Sequence, residues 1–418
     1  MKKKAAEKNQ KTAQNDKRPL STIEKFALVI AIIIGVAAFF LSATSMLDNW
    51  VKAPLILAIL FGAGKTISYI GRLENYYGII ILRGEKGFSA MRYFSKHPKL
   101  MRALADFGLS LGFGMIYSFL IFRKNLPKFF AHLLIVAGIF WILLAGSNMT
   151  VFGDDLKNYV LPAIGVLGGL LAFGISALAI QALNILTVPG TSPGAALVVP
   201  GITVPFWEGL IAIVIAATVH EIAHGVLAMV EKLEVKNSGA IFFGILPIGA
   251  FVEPNEKKLA KLDIQKKRRI LIAGTTSNFM VFVIMAIIAF MWAPLVMGFA
   301  GGVKVTGFGA DSASKGILRE GEIVTAVNGV KFSSLDEFRK LMDGKKEGEV
   351  VALTTNYGTP EITLGEEGKL GILLETYFPA NDLGVAAMLF ISSTLYLILL
   401  INFALAVINL VPLFLTDG

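Results

Sequence analysis

Cysteine is absent from the 418 residues. Disulfides and thiolate metal ligands are thereby excluded, and any transition-metal site must be built from histidine and carboxylate oxygen. Charge is scarce as well: 17% of residues are Asp, Glu, Lys or Arg, against 55% hydrophobic. That balance excludes an ordinary soluble domain and points to a chain solvated by lipid. Histidine occurs four times, as His97, His132, His220 and His224. No cleavable leader is expected, since residues 1–25 open on a polar, basic stretch that reads as a disordered cytoplasmic tail.

What is plentiful is long apolar sequence. Runs of bilayer length fall near Phe26–Leu41, Ala53–Ile70, Ala103–Phe122, Phe129–Ala145, Tyr159–Leu183, Trp207–Val230, Ile270–Met297 and Val385–Leu410. The expected fold is a polytopic α-helical membrane protein of about eight transmembrane segments, with a small α/β domain inserted before the last. Residues 26–184 form its N-terminal transmembrane region. Asp106 and His132 lie close to segment ends, where snorkelling to the interface is the simplest reading.

The formal charge of +9 does not imply nucleic acid, because Lys and Arg gather beside the apolar runs, as membrane topology requires. Basic clusters at Lys2–Arg18, Arg72–Arg102 and Lys257–Arg269 set the N-terminus and those loops in the cytoplasm. Eight spans satisfy all three, but leave Arg123, Lys124 and Lys128 outside and Asp154 and Asp155 inside, against the same rule.

Within the sixth run lies His220-Glu221-Ile222-Ala223-His224. Histidines four apart on a helix project from one face, so both imidazoles reach one metal ion, and the intervening glutamate can take a proton from water. Ionisable groups in a bilayer-length segment cost several kcal/mol unless a function recovers that energy. The following stretch, Gly239–Pro254, is apolar but broken by Gly and Pro, and is expected either to fold back as a hairpin beside the metal or to dip into the interface as a surface loop. Its edge could pair with an unwound substrate.

From Val303 to Glu375 the sequence changes character, with charged and apolar residues alternating between turn signals. Ile323, Thr325 and Val327 alternate as a strand, Asn328-Gly329 supplies a tight turn, and Ser334 can cap a helix. The run Gly316–Val330 followed by Ser334–Phe338 resembles a bacterial-type PDZ domain. The resemblance implies a peptide C-terminus received at a strand edge and turn that would include Gly307, Phe308, Gly309 and Ala310.

The last run, residues 385–418, ends in Asn409-Leu410-Val411-Pro412-Leu413-Phe414-Leu415-Thr416-Asp417-Gly418. A carboxylate just beyond a Pro-broken helix can swing in as a third, oxygen ligand. His-Glu-x-x-His in one span, Asn-x-x-Pro-x-x-x-x-Asp-Gly in a later one and a PDZ-like insert between them together resemble the site-2 protease family of intramembrane zinc metalloproteases. The likeness runs from about Val199 to Gly418, residues 199–300 being the first part of the metalloprotease core. It includes Pro247–Phe251 and Ala273–Phe279.

The resemblance implies one Zn2+ held by His220, His224 and Asp417, with Glu221 as general base. Asn409 would position the substrate or polarise its carbonyl, with Asn278 a second candidate for that role. It further implies a single-span membrane-anchored substrate, already shortened by another protease, and a place in the cell membrane of an archaeon or other prokaryote, the PDZ-like domain outside. Family members continue past the Asp-Gly, so the sequence ending at Gly418 is expected to be a fragment. Two other classes compete: a membrane zinc transporter or sensor, and a non-proteolytic PDZ-bearing scaffold. Intramembrane carboxylates beyond Glu208, Glu221 and Asp417 are too few in the later spans for a transport path, and a scaffold would not need a complete set of catalytic residue types.

Overall fold

The computed structural model describes residues 21–43, 49–84, 86–145, 160–187, 198–201, 203–309, 312–379 and 383–411. Its N-terminal elements are α1 (Thr22–Ala43), α2 (Asn49–Gly71), β1 (Glu74–Tyr76), β2 (Ile79–Arg83), α3 (Lys86–Ser95), α4 (Pro98–Phe122), α5 (Leu126–Ala145) and α6 (Leu161–Thr187). The motif helix α7 (Phe206–Val230) is followed by β3 (Val235–Phe243), β4 (Leu246–Pro254), a short α8 (Glu256–Ala260) and the long α9 (Ile264–Met297). Among the described residues, six helices are long and apolar enough to cross a membrane: Pro54–Gly71 of α2, α4, α6, α7, α9 and a final α11 (Leu383–Ile408). Leu126–Ile142 of α5 is a shorter apolar stretch, so among the described residues six of the expected eight runs meet the length and hydropathy a span needs.

The chain divides into two compact units, one of residues 1–285 and 397–418, the other Ala286–Tyr396. In the first, α4, α5, α6, α7 and α9 share a core that includes Leu109, Leu111, Met115, Val136, Phe140, Leu170, Val226 and Ile272. The expected hairpin is present as β3 and β4, paired antiparallel from Val235↔Pro254 to Phe243↔Leu246. Sequence reading missed β1 and β2, which extend it to a four-stranded sheet in the order β1-β2-β3-β4, leaving β4 at an edge.

The motif helix is stopped sharply. Lys232 adopts a left-handed φ of 60°, Leu233 N donates to Ala228 O at 2.8 Å and Lys232 N to Met229 O at 3.1 Å. This pair of reversed bonds satisfies the last carbonyls and turns the chain straight into β3. Helices α4 and α6 each carry an interior break, at Gly114 (φ 77°, ψ −176°) and Gly169 (φ 72°, ψ −168°). The breaks meet, since a β-carbon on Gly114 would lie 2.2 Å from Leu167 O and one on Gly169 2.4 Å from Gly112 O.

The second unit is a small α/β domain. It contains β5 (Val303–Phe308), β6 (Ile323–Val327), β7 (Val330–Lys331), α10 (Leu335–Met342), β8 (Val350–Thr355), β9 (Glu361–Thr363) and β10 (Ile372–Thr376). The sheet runs β10-β5-β6-β8-β9, with β7 on β6, over a core of Val303, Val305, Val324, Phe338, Val351, Leu353 and Ile362. Asn328 and Gly329 both take positive φ, 50° and 80°, as a two-residue hairpin turn requires. Ser334 caps α10, its side chain accepting from Glu337 N, and Glu337 returns a bond from Ser333 N at 2.7 Å.

Candidate metal centre

His220 and His224 occupy successive turns of α7, and their Nε2 atoms stand 3.1 Å apart. His220 is buried and His224 half-buried. The orientation of His224 is decided by a backbone atom on another helix: its Nδ1 lies 2.7 Å from the carbonyl oxygen of Ile270, near the start of α9. A carbonyl only accepts, so Nδ1 carries the proton and Nε2 presents its lone pair, the tautomer a metal ligand needs. Two nitrogens on one tetrahedral zinc, each about 2.0–2.1 Å from it, are about 3.3 Å apart. The observed separation is close to that value.

Space for the pair is made by Gly274. A β-carbon there would fall 2.3 Å from His220 Cε1, 2.4 Å from His220 Nε2 and 2.5 Å from His224 Nε2. Separations that short are impossible, so only glycine lets α9 pass this close to both imidazoles. The lone-pair tautomer, the convergent nitrogens and the missing side chain all fit zinc. Among the described residues no group of three or more His, Asp or Glu side chains gathers. Asp417, expected as third ligand, lies outside the described residues.

Glu221 projects from the same turn of α7, and its Oε2 accepts from the amide of Val252 at 3.0 Å. That bond joins the expected base to β4, the edge strand. Asn278 sits one turn beyond Gly274 on α9, 0% exposed, and neither atom of its amide has a partner among the described residues. Asn409 follows α11 directly and lines a cavity of about 190 Å3 with Tyr117, Arg268 and Thr275.

Of the expected PDZ-groove residues, Gly307 and Phe308 lie within β5, paired with Leu373 and Ile372 of β10. Gly309 follows them, its amide donating to Gly371 O, and Ala310 falls outside the described residues. With β10 on that flank of β5, an open groove of about 560 Å3 runs between α10 and β10, and Arg339, Lys345, Lys369, Asp343 and Glu367 are among its lining residues.

Two expectations are corrected. Asp106 and His132 do not snorkel: they are 4% and 8% exposed. Asp106 accepts from Arg269 Nε at 2.7 Å and from Lys128 Nζ at 2.5 Å. His132 Nδ1 lies 2.7 Å from Ser110 Oγ, with its ring packed edge-on to Phe107 and Phe122. Proximity to a segment end was a poor guide because the counter-charge comes from α9, 163 residues away in sequence. Sequence reading gave no role to Ile270, Gly274 or Val252, which act through a carbonyl, an absent side chain and an amide, although Gly274 falls within the Ala273–Phe279 likeness. For Asp106 the available signal was a charge within a span.

Residues 208–418 match peptidase family M50. The chain belongs to this family. An uncharacterized protein of Methanocaldococcus jannaschii is 30% identical over 263 residues, which cover 62% of this chain and 67% of the relative. Family M50 comprises membrane metallopeptidases of the site-2 protease type, generally zinc-dependent, and the matched residues include α7, the hairpin, α9, the α/β domain and α11.

Proposed function

We propose that this M50 member is an intramembrane zinc endopeptidase that cuts a single-span membrane-anchored substrate within or beside its transmembrane helix. The observation that carries the reading is the His224 Nδ1 to Ile270 O bond, beside a glycine that admits both imidazoles. His220 and His224 would hold the ion with Asp417 as third ligand. Zinc, when bound, supplies a Lewis acid for the peptide carbonyl and brings the pKa of water to about 7.

The chain's own groups do the rest. Glu221, held through Oε2 by Val252 N, takes a proton from the attacking water onto its carboxylate and delivers it to the departing amine nitrogen. A substrate helix hides each scissile carbonyl in an i to i−4 bond, so it must unwind before it can react. The edge of β4 gives the unwound segment a backbone to pair with, and the Val252 bond keeps that edge next to the base. Asn409 and Asn278 offer amides to the polar groups of an unwound backbone.

In the α/β domain, the groove between α10 and β10 carries Arg339, Lys345 and Lys369 beside Asp343 and Glu367, and β10, at the edge of the sheet, offers backbone to an extended chain end. On the outer face it would admit substrates only after a first protease has shortened them. Deletion of Val303–Glu375 is expected to release cleavage of unshortened substrate; unchanged selectivity would remove the filter.

The decisive comparison is cleavage of a reconstituted single-span substrate by wild type and Glu221→Gln. Loss of product with zinc affinity retained supports the peptidase, since the amide keeps an oxygen for Val252 N but cannot take the proton. Equal product from both proteins would end the reading.

A further inference from the structure

Arg269 on α9 bridges two buried carboxylates that the reaction does not use. Asp106 of α4 grips it in a fork, Oδ1 to Nε at 2.7 Å and Oδ2 to Nη2 at 3.1 Å. Glu231, which closes α7, is 3.6 Å from Arg269 Nη1, but its nearer partner is Arg102 Nε at 2.9 Å, and Arg102 also donates to Val230 O at 3.2 Å. Lys128 of α5 completes the group on Asp106. Asp106 and Glu231 are 4% and 3% exposed.

The residue after Arg269 is Ile270, whose carbonyl orients His224. We propose that Asp106 is a positioning residue for the metal centre: by gripping Arg269 it fixes the first turns of α9 and holds the Ile270 carbonyl against His224 Nδ1. The inference rests on the zinc reading above, and it reaches outside the M50 match, since Asp106 precedes residue 208.

Three observations favour positioning over a simple staple. Burying each ion costs several kcal/mol, and apolar side chains would fill the same volume at lower cost, so net stability is a weak reason for this group. The fork is bidentate, which fixes the direction of the guanidinium as well as its distance. Without Asp106, Arg269 keeps only the 3.6 Å contact to a carboxylate already committed to Arg102. At its start α9 would then be tied to α7 by that longer ion pair and the His224 to Ile270 bond, the next polar tie being Ser277 Oγ to Val219 O at 3.4 Å further along the helix, and the His224 bond would bear the misalignment.

The test uses the full chain in lipid nanodiscs, with zinc affinity measured by competition against a chromophoric chelator and with the unfolding midpoint of the zinc-free protein followed in parallel. Asp106→Asn is expected to weaken zinc on the order of 10–100-fold, as loss of a ligand's supporting partner typically does, and excess zinc should restore cleavage with KM unchanged. Arg269→Lys keeps the charge and the alkyl stem but cannot fork, and is expected to weaken zinc several-fold, so the inference stays testable if Asp106→Asn does not fold. Wild-type affinity in either folded variant would overturn it, whatever happens to the midpoint. His224→Ala separates the two levels: if it binds zinc as wild type does, the metal reading itself fails, and if only His224→Ala loses zinc, the positioning role alone fails.

Discussion

Gly274 faces His220 so closely that a β-carbon on it would lie 2.4 Å from the imidazole Nε2. The conflict is with side chains, and position 274 is interior to α9, where alanine is a better helix former than glycine. Gly274→Ala is therefore expected to leave helix content and the unfolding midpoint of the zinc-free protein near wild type. The imidazoles must part by an ångström or more, and zinc affinity should fall at least about tenfold, comparable to loss of a supporting partner. Chelator competition on the purified variant checks this; wild-type affinity would show that the paired nitrogens do not need this approach.

The break in α4 predicts the opposite pattern. Gly114 adopts φ 77° with ψ −176°, a region essentially confined to glycine and costing other residues about 1–3 kcal/mol. A β-carbon there also meets Leu167 O at 2.2 Å and Gly169 N at 2.5 Å, backbone atoms that cannot swing aside. Together these put Gly114→Ala among the exceptional substitutions costing more than about 4 kcal/mol. A thermal or denaturant midpoint in detergent should drop steeply, with zinc binding lost only in proportion to unfolding.

How much of this was legible in the sequence follows from the kind of signal each feature leaves. The histidine pair, Glu221 and the Ser334 cap are side chains at fixed local spacing, and the structure finds the histidines and the cap in the expected local geometry. The β3–β4 hairpin was readable because Gly and Pro break an apolar run. The Ile270 carbonyl and the Val252 amide were not, because every residue carries those groups and only the crossing of α7 with α9 and β4 selects them. The β1–β2 strands were hidden for a similar reason: Ile79–Arg83 finds its partner in Gly239–Phe243, more than 150 residues on. Asp106 showed itself as a charge in a span, but its partners lay on two other helices.

The sheet that carries Val252 also makes a pH prediction. Glu253 accepts from Asn237 Nδ2 at 2.8 Å and from Arg83 Nη1 at 3.0 Å, and these, the amide bond first, hold its carboxyl below the ordinary value of 4.5. A depressed folded value means that this contribution to stability is complete above 4.5 and disappears as pH falls through the lower folded value. Hydrogen exchange across β3 and β4, corrected for intrinsic rates, should accelerate on acidification from about pH 5 to about pH 3. Glu253→Gln should flatten that dependence. The site is partly exposed, so the effect is local fraying rather than global unfolding.

Asn278 separates stability from function. Its amide is fully buried and neither atom has a partner among the described residues, and each such group costs about 1–3 kcal/mol. Leucine has the same branched outline of four side-chain heavy atoms and no polar atom, so Asn278→Leu should raise the unfolding midpoint of the zinc-free protein. If the amide serves the unwound backbone of a substrate, the same variant should lose at least about tenfold in kcat/KM with zinc affinity retained, about 1.4 kcal/mol of transition-state stabilisation. A stabilised variant with full activity would show that Asn278 does not touch substrate. A destabilised one would mean that its amide already has partners in the folded protein, and the polar role would then be structural.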